Sequence, residues 1–391
     1  MALQRQVRLR AEGVYYALVV VAVLSGAIAR QLNLLMLVGS LLAGPWLFAA
    51  IYGRLALRLL RIERKLPPAL RAGERLAVEI SVTNERRWLR VWGVEVEDTV
   101  RRELPDGDRT RVMTSVFFPM LLPGQNRQVT YTGSLPRRGR YIFGPLRITT
   151  RFPMGLFRHS YVLRERESLV VHPRVGRLAR NWAKIARETP VGGQRIERRG
   201  LLQTDFYGMR DFRAGDSRRW IHWRTSARRG SLVVRQFEQR RSQDLALLID
   251  LWQAPDASAA GRENLERAVS FVASIIDETC RQPGRQLTIA MAAHEFALRS
   301  GAAGPLFMGE QMDALAVVAP HGDDDFPREL GHALASIPPA VATLLISTRP
   351  VGLDALAEAA ADRDARLDGR SLQVVHVGPE LAQYFSLSST A

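Results

Sequence analysis

Two stretches near the start of the chain carry no charge. Residues 13–29 and 31–53 are largely apolar, with Arg30 alone between them. At about 1.5 Å per helical residue they reach roughly 25 and 34 Å, enough to cross a bilayer as a tight hairpin. Arg5, Arg8 and Arg10 precede the first run, and Arg54, Arg58, Arg61, Arg64 and Lys65 follow the second. That bias predicts a multi-pass anchor in the inner membrane with both ends in the cytoplasm. A cleaved signal peptide fits less well, because a second spanning run follows directly and no good small-x-small cleavage site precedes a mature-looking start. Tyr15, Tyr16 and Tyr52 suit interfacial anchoring, whereas Trp46 sits nearer mid-span.

After Pro67-Pro68, which cannot continue a helix, the period changes. Residues 76–82, 91–96, 128–133 and 140–150 read as strands, with Pro123-Gly124 and residues 136–139 as turn signals. This predicts an antiparallel β-sandwich over 66–171, a spacer or contact domain with no paired acids, histidine cluster or phosphate loop. From residue 244 the pattern alternates. Strand-like 244–251, 287–292, 342–347 and 372–377 are separated by helical patterns at 262–281, 308–318 and 353–365. Such alternation predicts a mostly parallel sheet covered on both faces, a three-layer Rossmann-like domain over 244–391 without a dinucleotide fingerprint. The chain therefore reads as multidomain: an anchor at 1–65, a sandwich at 66–171, a basic connector at 172–243, and an α/β domain. Within the connector a helix is expected over 177–187, broken by Gly192-Gly193.

Charge sharpens this division. The 391-residue chain has a formal net charge of +16, and only Lys65 and Lys184 are lysines. Residues 171–243 carry 18 basic and 6 acidic side chains, while 244–391 carry 10 basic and 20 acidic ones. A basic middle joined to an acidic end suits attraction between the parts or contact with anionic lipid. Nucleic-acid binding is disfavoured, because the positive charge is mixed with acids and the aromatics sit at core-like spacing. The single cysteine, Cys280, lies in a helical pattern and can form no internal disulfide, in keeping with a reducing compartment.

Arginines, aspartates and aromatics are densest at 203–238. Asp216 or Ser217 can cap a short helix carrying Trp220 and Trp223, whose rings need burial, and 231–238 follows as a strand. Asp205, Arg210, Asp211, Asp216, Arg219, His222, Ser226, Arg228 and Arg235 place both signs of charge at short range. Four readings stand side by side. Asp205, Asp211, Asp216 and His222 can ligate a metal, but they lack a recognised spacing. His222 with Ser226 suits a hydrolase, but no third group or oxyanion loop is readable. The arginines can bind an anion: a phosphate, a lipid headgroup or an acidic protein surface. Or the stretch is a salt-bridged junction, since an arginine held by a neighbouring aspartate fixes geometry well.

The order Thr204-Asp205-Phe206, Arg210, Asp211-Phe212, Gly215-Asp216-Ser217, Arg219, Ile221-His222-Trp223, Ser226-Ala227-Arg228, Leu232-Val233-Val234-Arg235 and Phe237-Glu238 resembles the signature of the domain-of-unknown-function 58 family. Arg138-Gly139-Arg140-Tyr141, Gly144-Pro145-Leu146 and Gly155-Leu156-Phe157 extend the likeness over most of the chain. One departure is Phe152 before Pro153, where relatives commonly carry an acid. The resemblance implies that the C-terminal α/β domain is von Willebrand factor A-like. Metal-binding versions end their first strand in Asp-x-Ser-x-Ser, and this chain has Asp250-Leu251-Trp252-Gln253-Ala254, so the fold is expected without the ion site. Asp250 is left as a weak candidate ligand, more naturally a cap for the following loop. The resemblance also implies partnership with a MoxR-type AAA+ ATPase and with other von Willebrand A-domain proteins.

The expectation is a membrane-anchored cytoplasmic scaffold without a catalytic or cofactor site. The alternative is an envelope enzyme or anionic-ligand binder using Asp216, Arg219 and His222.

Overall fold

The computed structural model describes residues 3–103, 111–179, 182, 206–213, 216, 218–237, 244–282, 284–323, 327–339, 341–361 and 372–387. The chain forms two compact units, Met1–Val175 with Gly309–Val318 and Leu387–Ala391, and Gly176–Met308 with Ala319–Ser386.

The first unit begins with a strand, β1 (Leu3–Leu9), followed by two helices, α1 (Ala11–Arg30) and α2 (Asn33–Ala56). Both helices are long and apolar enough to cross a membrane, with mean hydropathies of 1.8 and 2.1, and most of each is exposed. Gln31 joins them in the left-handed conformation. Then follow β2 (Leu60–Lys65), β3 (Leu70–Arg71), β4 (Arg75–Asn84), β5 (Val91–Glu103), β6 (Arg111–Leu121), β7 (Asn126–Ser134), β8 (Gly139–Phe143), β9 (Leu146–Thr150), β10 (Phe157–Leu163) and β11 (Glu167–His172). One sheet runs β1-β10-β9-β5-β8-β11-β3 with β6 on β5, and a smaller one runs β2-β4-β7. Pairing is antiparallel except between β3 and β11.

The two sheets close on shared apolar clusters. Ile80 and Val82 of β4 meet Val94 and Val96 of β5, Phe118 of β6 and Ile148 of β9, while Val78 meets Val100, Phe143 and Val171. Strand alternation supplies these inward positions, since every second residue faces one side. Inside this core Arg64 donates to Asp98 (2.9 Å), whose second oxygen accepts the Tyr131 hydroxyl (2.9 Å). Burial, reinforced by the Asp98 charge, pushes the Tyr131 phenol well above its ordinary value.

Leu3–Leu9 and Leu60–Lys65, counted with the anchor from sequence, are strands of these sheets: β1 pairs with β10 and β2 with β4. Their alternation was hidden by the arginines that mark the helix flanks. The helical pair thus leaves and re-enters one β-rich body. Gly53 of α2 lies so close to His159 of β10 that a Cβ would fall within 2.0 Å of its ring.

The Arg138-Gly139-Arg140-Tyr141 run has a local explanation. Buried Arg138 donates to the carbonyls of Leu315 (2.5 Å) and Val318 (3.2 Å), its own carbonyl accepts from Arg102, and Tyr141 donates to Arg137 (2.8 Å). Gly139, at φ 135°, leaves room for the Arg102 side chain, which a Cβ would meet at 3.1 Å.

The second unit contains β12 (Arg177–Leu178), β13 (Phe206–Asp211), α3 (Trp223–Arg229), β14 (Val233–Phe237), β15 (Leu245–Asp250), α4 (Ala259–Cys280), β16 (Gln286–Ala292), β17 (Ala297–Ala302), α5 (Pro305–Val317), α6 (Arg328–Ser336), β18 (Ala342–Ser347), α7 (Leu353–Ala361), β19 (Leu372–His376) and β20 (Phe385–Ser386); α5 counts with the first unit from Gly309 on. Its main sheet has the order β17-β16-β15-β18-β19, parallel except for β17. β15 is buried at all six positions, so both of its faces are covered. On one face Ala246, Leu248, Ala290 and Leu345 meet Leu330, Leu334 and Leu356 of α6 and α7. Ser258 caps α4 by accepting the Gly261 N–H (3.2 Å).

The helix expected over 177–187 does not start where the period suggested. Arg177–Leu178 pairs with Phe385–Ser386 instead, and the rest of that stretch, apart from Ala179 and Trp182, lies outside the described residues. Gly176 makes this possible, because any Cβ there would collide with the Phe385 ring at 2.4 Å.

Candidate functional site

The arginine-rich stretch folds as a compact knuckle. β13 and β14 form an antiparallel ribbon, and between them the chain makes a single 3-10 turn, Arg218–Trp220, and the two-turn helix α3. At its base Asp216 holds Arg210 through two parallel bonds of 2.7 Å and also accepts the Arg213 N–H (2.9 Å). This planar fork is the strong form of the arginine–carboxylate pair. The hydrogen bonds that Arg210 donates to Asp216 raise its guanidinium above the ordinary value.

Ser217 lies outside the described residues, and His222, not Asp216, caps the helix. Its Nδ1 accepts the Thr225 N–H (3.2 Å) and faces Thr225 Oγ1 (2.8 Å), which leaves the ring proton on Nε2. The buried Ser226 hydroxyl accepts the Val233 N–H (2.9 Å) and donates to the His222 carbonyl (3.1 Å). Gly230, at φ 70°, closes the helix in the left-handed conformation a C-terminal stop requires. Ile221, Val233 and Val234 are buried beneath.

What remains is positive. Arg218, Arg219, Arg224, Arg228, Arg229 and Arg235 are exposed, and none has an ion-pair partner among the described residues. Trp223 is 65% exposed, contrary to the burial expected from sequence. A helical side chain covers the turn before its own Cα, and at the first position of α3 no such turn exists.

A second polar centre lies at the C-terminal end of β15. The Asp250 carboxylate is fully buried and accepts from His321 (2.8 Å), Ser347 (2.8 Å) and Arg349 Nε (3.0 Å). Arg349 also stacks 5.6 Å from the centre of the Trp252 ring and donates to the Asp323 carbonyl (3.2 Å). Burial pushes this carboxyl up, but the bonds from His321 and Ser347 and the Arg349 charge outweigh it and hold it below the usual carboxylate range. The expected loop cap is therefore replaced by side chains from two other segments. A divalent cation needs a cage of oxygens, and here a guanidinium already stands at the carboxylate.

Residues 208–318 match the family described as protein of unknown function DUF58. The uncharacterized protein YeaD of Bacillus subtilis (strain 168) is 26% identical over 234 residues, 59% of this chain.

Over residues 208–318 the chain is similar to the DUF58 family.

The residues aligned with YeaD cover 55% of it, so the chain spans about half the length of the curated relative it matches. Similar solved structures include the sporulation control protein Spo0M of Bacillus subtilis (14% identity, 34% of this chain and 54% of that one, TM-score 0.19). The CARDB domain of a Pyrococcus furiosus protein (15%, 29% and 86%, TM-score 0.18) and a β-glucosidase of Listeria innocua (14%, 29% and 16%, TM-score 0.20) are others. Likenesses of that size carry no argument about fold or activity.

Of the positions read from sequence, the knuckle brings together Arg210, Asp211, Asp216, Arg219, His222, Trp223, Ser226, Arg228 and Arg235, while Asp205 and Gly215 lie outside the described residues. Asp216, His222 and Ser226 have ordinary structural partners. His222 Nδ1 faces Thr225, and the Ser226 hydroxyl faces backbone, so the two do not form a nucleophile–base pair. His321 and Arg349, 71 and 99 residues from Asp250, went unread. Ser347 and Arg349 at the end of a predicted strand were the available signal, because a strand-end acid and strand-end donors meet when neighbouring strands are parallel.

Proposed function

We propose that this protein is a membrane-anchored, non-catalytic docking platform, with a MoxR-type AAA+ ATPase as the partner of the arginine knuckle. Both ends of the helical pair face the cytoplasm in this reading, and the α/β unit is von Willebrand factor A-like. The observation that carries it is the charge left over on the knuckle. Six arginines are exposed without ion-pair partners among the described residues, on a scaffold whose acids, imidazole and hydroxyl fix its own shape. An array of this kind steers and holds an acidic surface. That both flanks lie on one side is supported by β1 before the helices and β2 after them, which both pair within the first unit. A catalytic reading of Asp216, Arg219 and His222 lacks such support, because Asp216 is forked to Arg210 and His222 caps a helix.

Affinity capture from detergent-solubilised membranes, under nucleotide conditions that trap ATPase complexes, tests the proposal. An AAA+ ATPase is expected with the native chain and not with an Arg224→Glu/Arg228→Glu/Arg229→Glu variant of equal thermal stability. Capture of no ATPase by the native chain would overturn it.

A further inference from the structure

Residues 151–155, between β9 and β10, form a tight turn closed by the Gly155 N–H on the Arg151 carbonyl (2.9 Å). Its apolar side chains face outward: Met154 is 63% and Phe152 39% exposed, and neighbouring Trp92 is 38% exposed. Trp92 stacks on Phe152 (5.9 Å between centroids). Met154 also sits at φ 60°, a conformation unfavourable for any residue with a Cβ. An apolar residue held in a strained turn and pointed into water has no purpose in an aqueous setting.

The position of this turn along the helices says what covers it. Phe152 meets Tyr52 of α2 edge-on (5.3 Å), and Phe157, just beyond the turn, meets Trp46 (5.3 Å) and packs with Ala49. On α1 the Leu156 carbonyl accepts the Arg10 N–H (3.2 Å), and a Cβ on Gly13 would strike it at 2.3 Å. Trp46 lies ten residues before the end of α2 at Ala56, roughly 15 Å along the axis. The turn therefore lies beside the charged ends of the helical pair, with Phe152 against Tyr52, two residues before Arg54, and Gly155 against Arg10, the two arginines that mark the headgroup level. Arg151, half exposed and within 3.4 Å of Glu95, sits at its base.

We propose that residues 151–155, with Trp92, are a third membrane contact: Phe152 and Met154 enter the interfacial layer of the bilayer that α1 and α2 cross. This rests on reading α1 and α2 as bilayer spans. Aromatic and methionine side chains suit that layer, and a run of ring contacts from exposed Phe48 through buried Tyr52 to Phe152 joins the turn to the span itself.

The test uses the full chain with Cys280→Ala as background, reconstituted in phosphatidylcholine–phosphatidylglycerol vesicles. An environment-sensitive fluorophore is placed at Met154→Cys, at Phe152→Cys as a second turn position, at Leu41→Cys within α2, and at Met113→Cys on β6, which is 56% exposed. Spin-labelled lipids quench at shallow or deep acyl positions, and iodide quenches from water. The turn probes are expected to shift to the blue and to lose emission to shallow quenchers while resisting iodide. Leu41 should answer to deep quenchers and Met113 to iodide alone. Turn probes that behave like Met113 while Leu41 is lipid-quenched would overturn the proposal and leave the anchor standing. A Leu41 probe open to iodide would overturn both.

Discussion

Two of the places where arginine meets aspartate among the described residues resolve the charge in opposite ways. At the end of β15 a single buried carboxylate is matched by buried His321 and Ser347 and by partly buried Arg349. On the knuckle a single carboxylate holds one arginine and leaves six more exposed. The first arrangement answers a desolvation problem: a buried acid must be matched, and its matching groups join the end of β15 to those of its neighbours. The second answers no folding problem, since exposed guanidinium groups are comfortable in water. The lesson is that the density of charged residues does not identify a working surface. The unmatched remainder does.

The contrast predicts a ranking of stability effects. Asp250→Ala strands Arg349 and His321 beside a fully buried hole, and should cost about 3–5 kcal/mol, as removal of one partner from a buried pair does. Chemical denaturation followed at the α/β unit would measure it. The same residue sets an acid limb. Its folded carboxyl is held below the ordinary value, so its contribution is complete above the ordinary carboxylate pKa, near 4, and disappears as pH falls through the lowered folded value. Asp250→Asn should flatten that limb in a plot of melting temperature against pH.

Ser226→Ala comes next. It removes the acceptor of the buried Val233 N–H, for about 1–3 kcal/mol. Asp216→Asn should lower the melting temperature less than either, because Arg210 is partly exposed, but it should loosen the knuckle and weaken ATPase capture. Reversal of Arg224, Arg228 and Arg229 should leave stability within about 0.5 kcal/mol per site while abolishing capture. A large loss of stability in that variant would show that these arginines belong to the first category, not the second.

Legibility from sequence followed the same division between local and distant causes. α1, α2, β15 and β18 were readable because each is a contiguous apolar run whose reason for folding lies within itself. β1, β2 and β17 were missed because they are short edge strands rich in charge or small residues, and only pairing with a distant strand makes them strands. The knuckle was visible as a stretch, and the Arg210–Asp216 type of pairing could be anticipated from proximity. Which side chain would cap α3 could not: His222 does so because Ser226, the other polar group in reach, is drawn to Val233 by the ribbon. Asp250 was noticed, but its partners arrive from the end of β18 and from the segment after α5, and no spacing rule along the chain reports them. Phe152, seen only as a departure from the family pattern, gained meaning once its neighbour proved to be Tyr52 of a helix that can cross a membrane.

The pairing of β1 with β10 sets an order of events during synthesis. Leu9 leaves the ribosome roughly 150 residues before its partner Phe157, a delay of roughly 8 to 30 s at about 5–20 residues per second. Through that interval the hairpin can be delivered to the bilayer while the seven residues ahead of it stay unpaired. Completion of β10 then captures them, so the first unit can close only after both long apolar helices have been made.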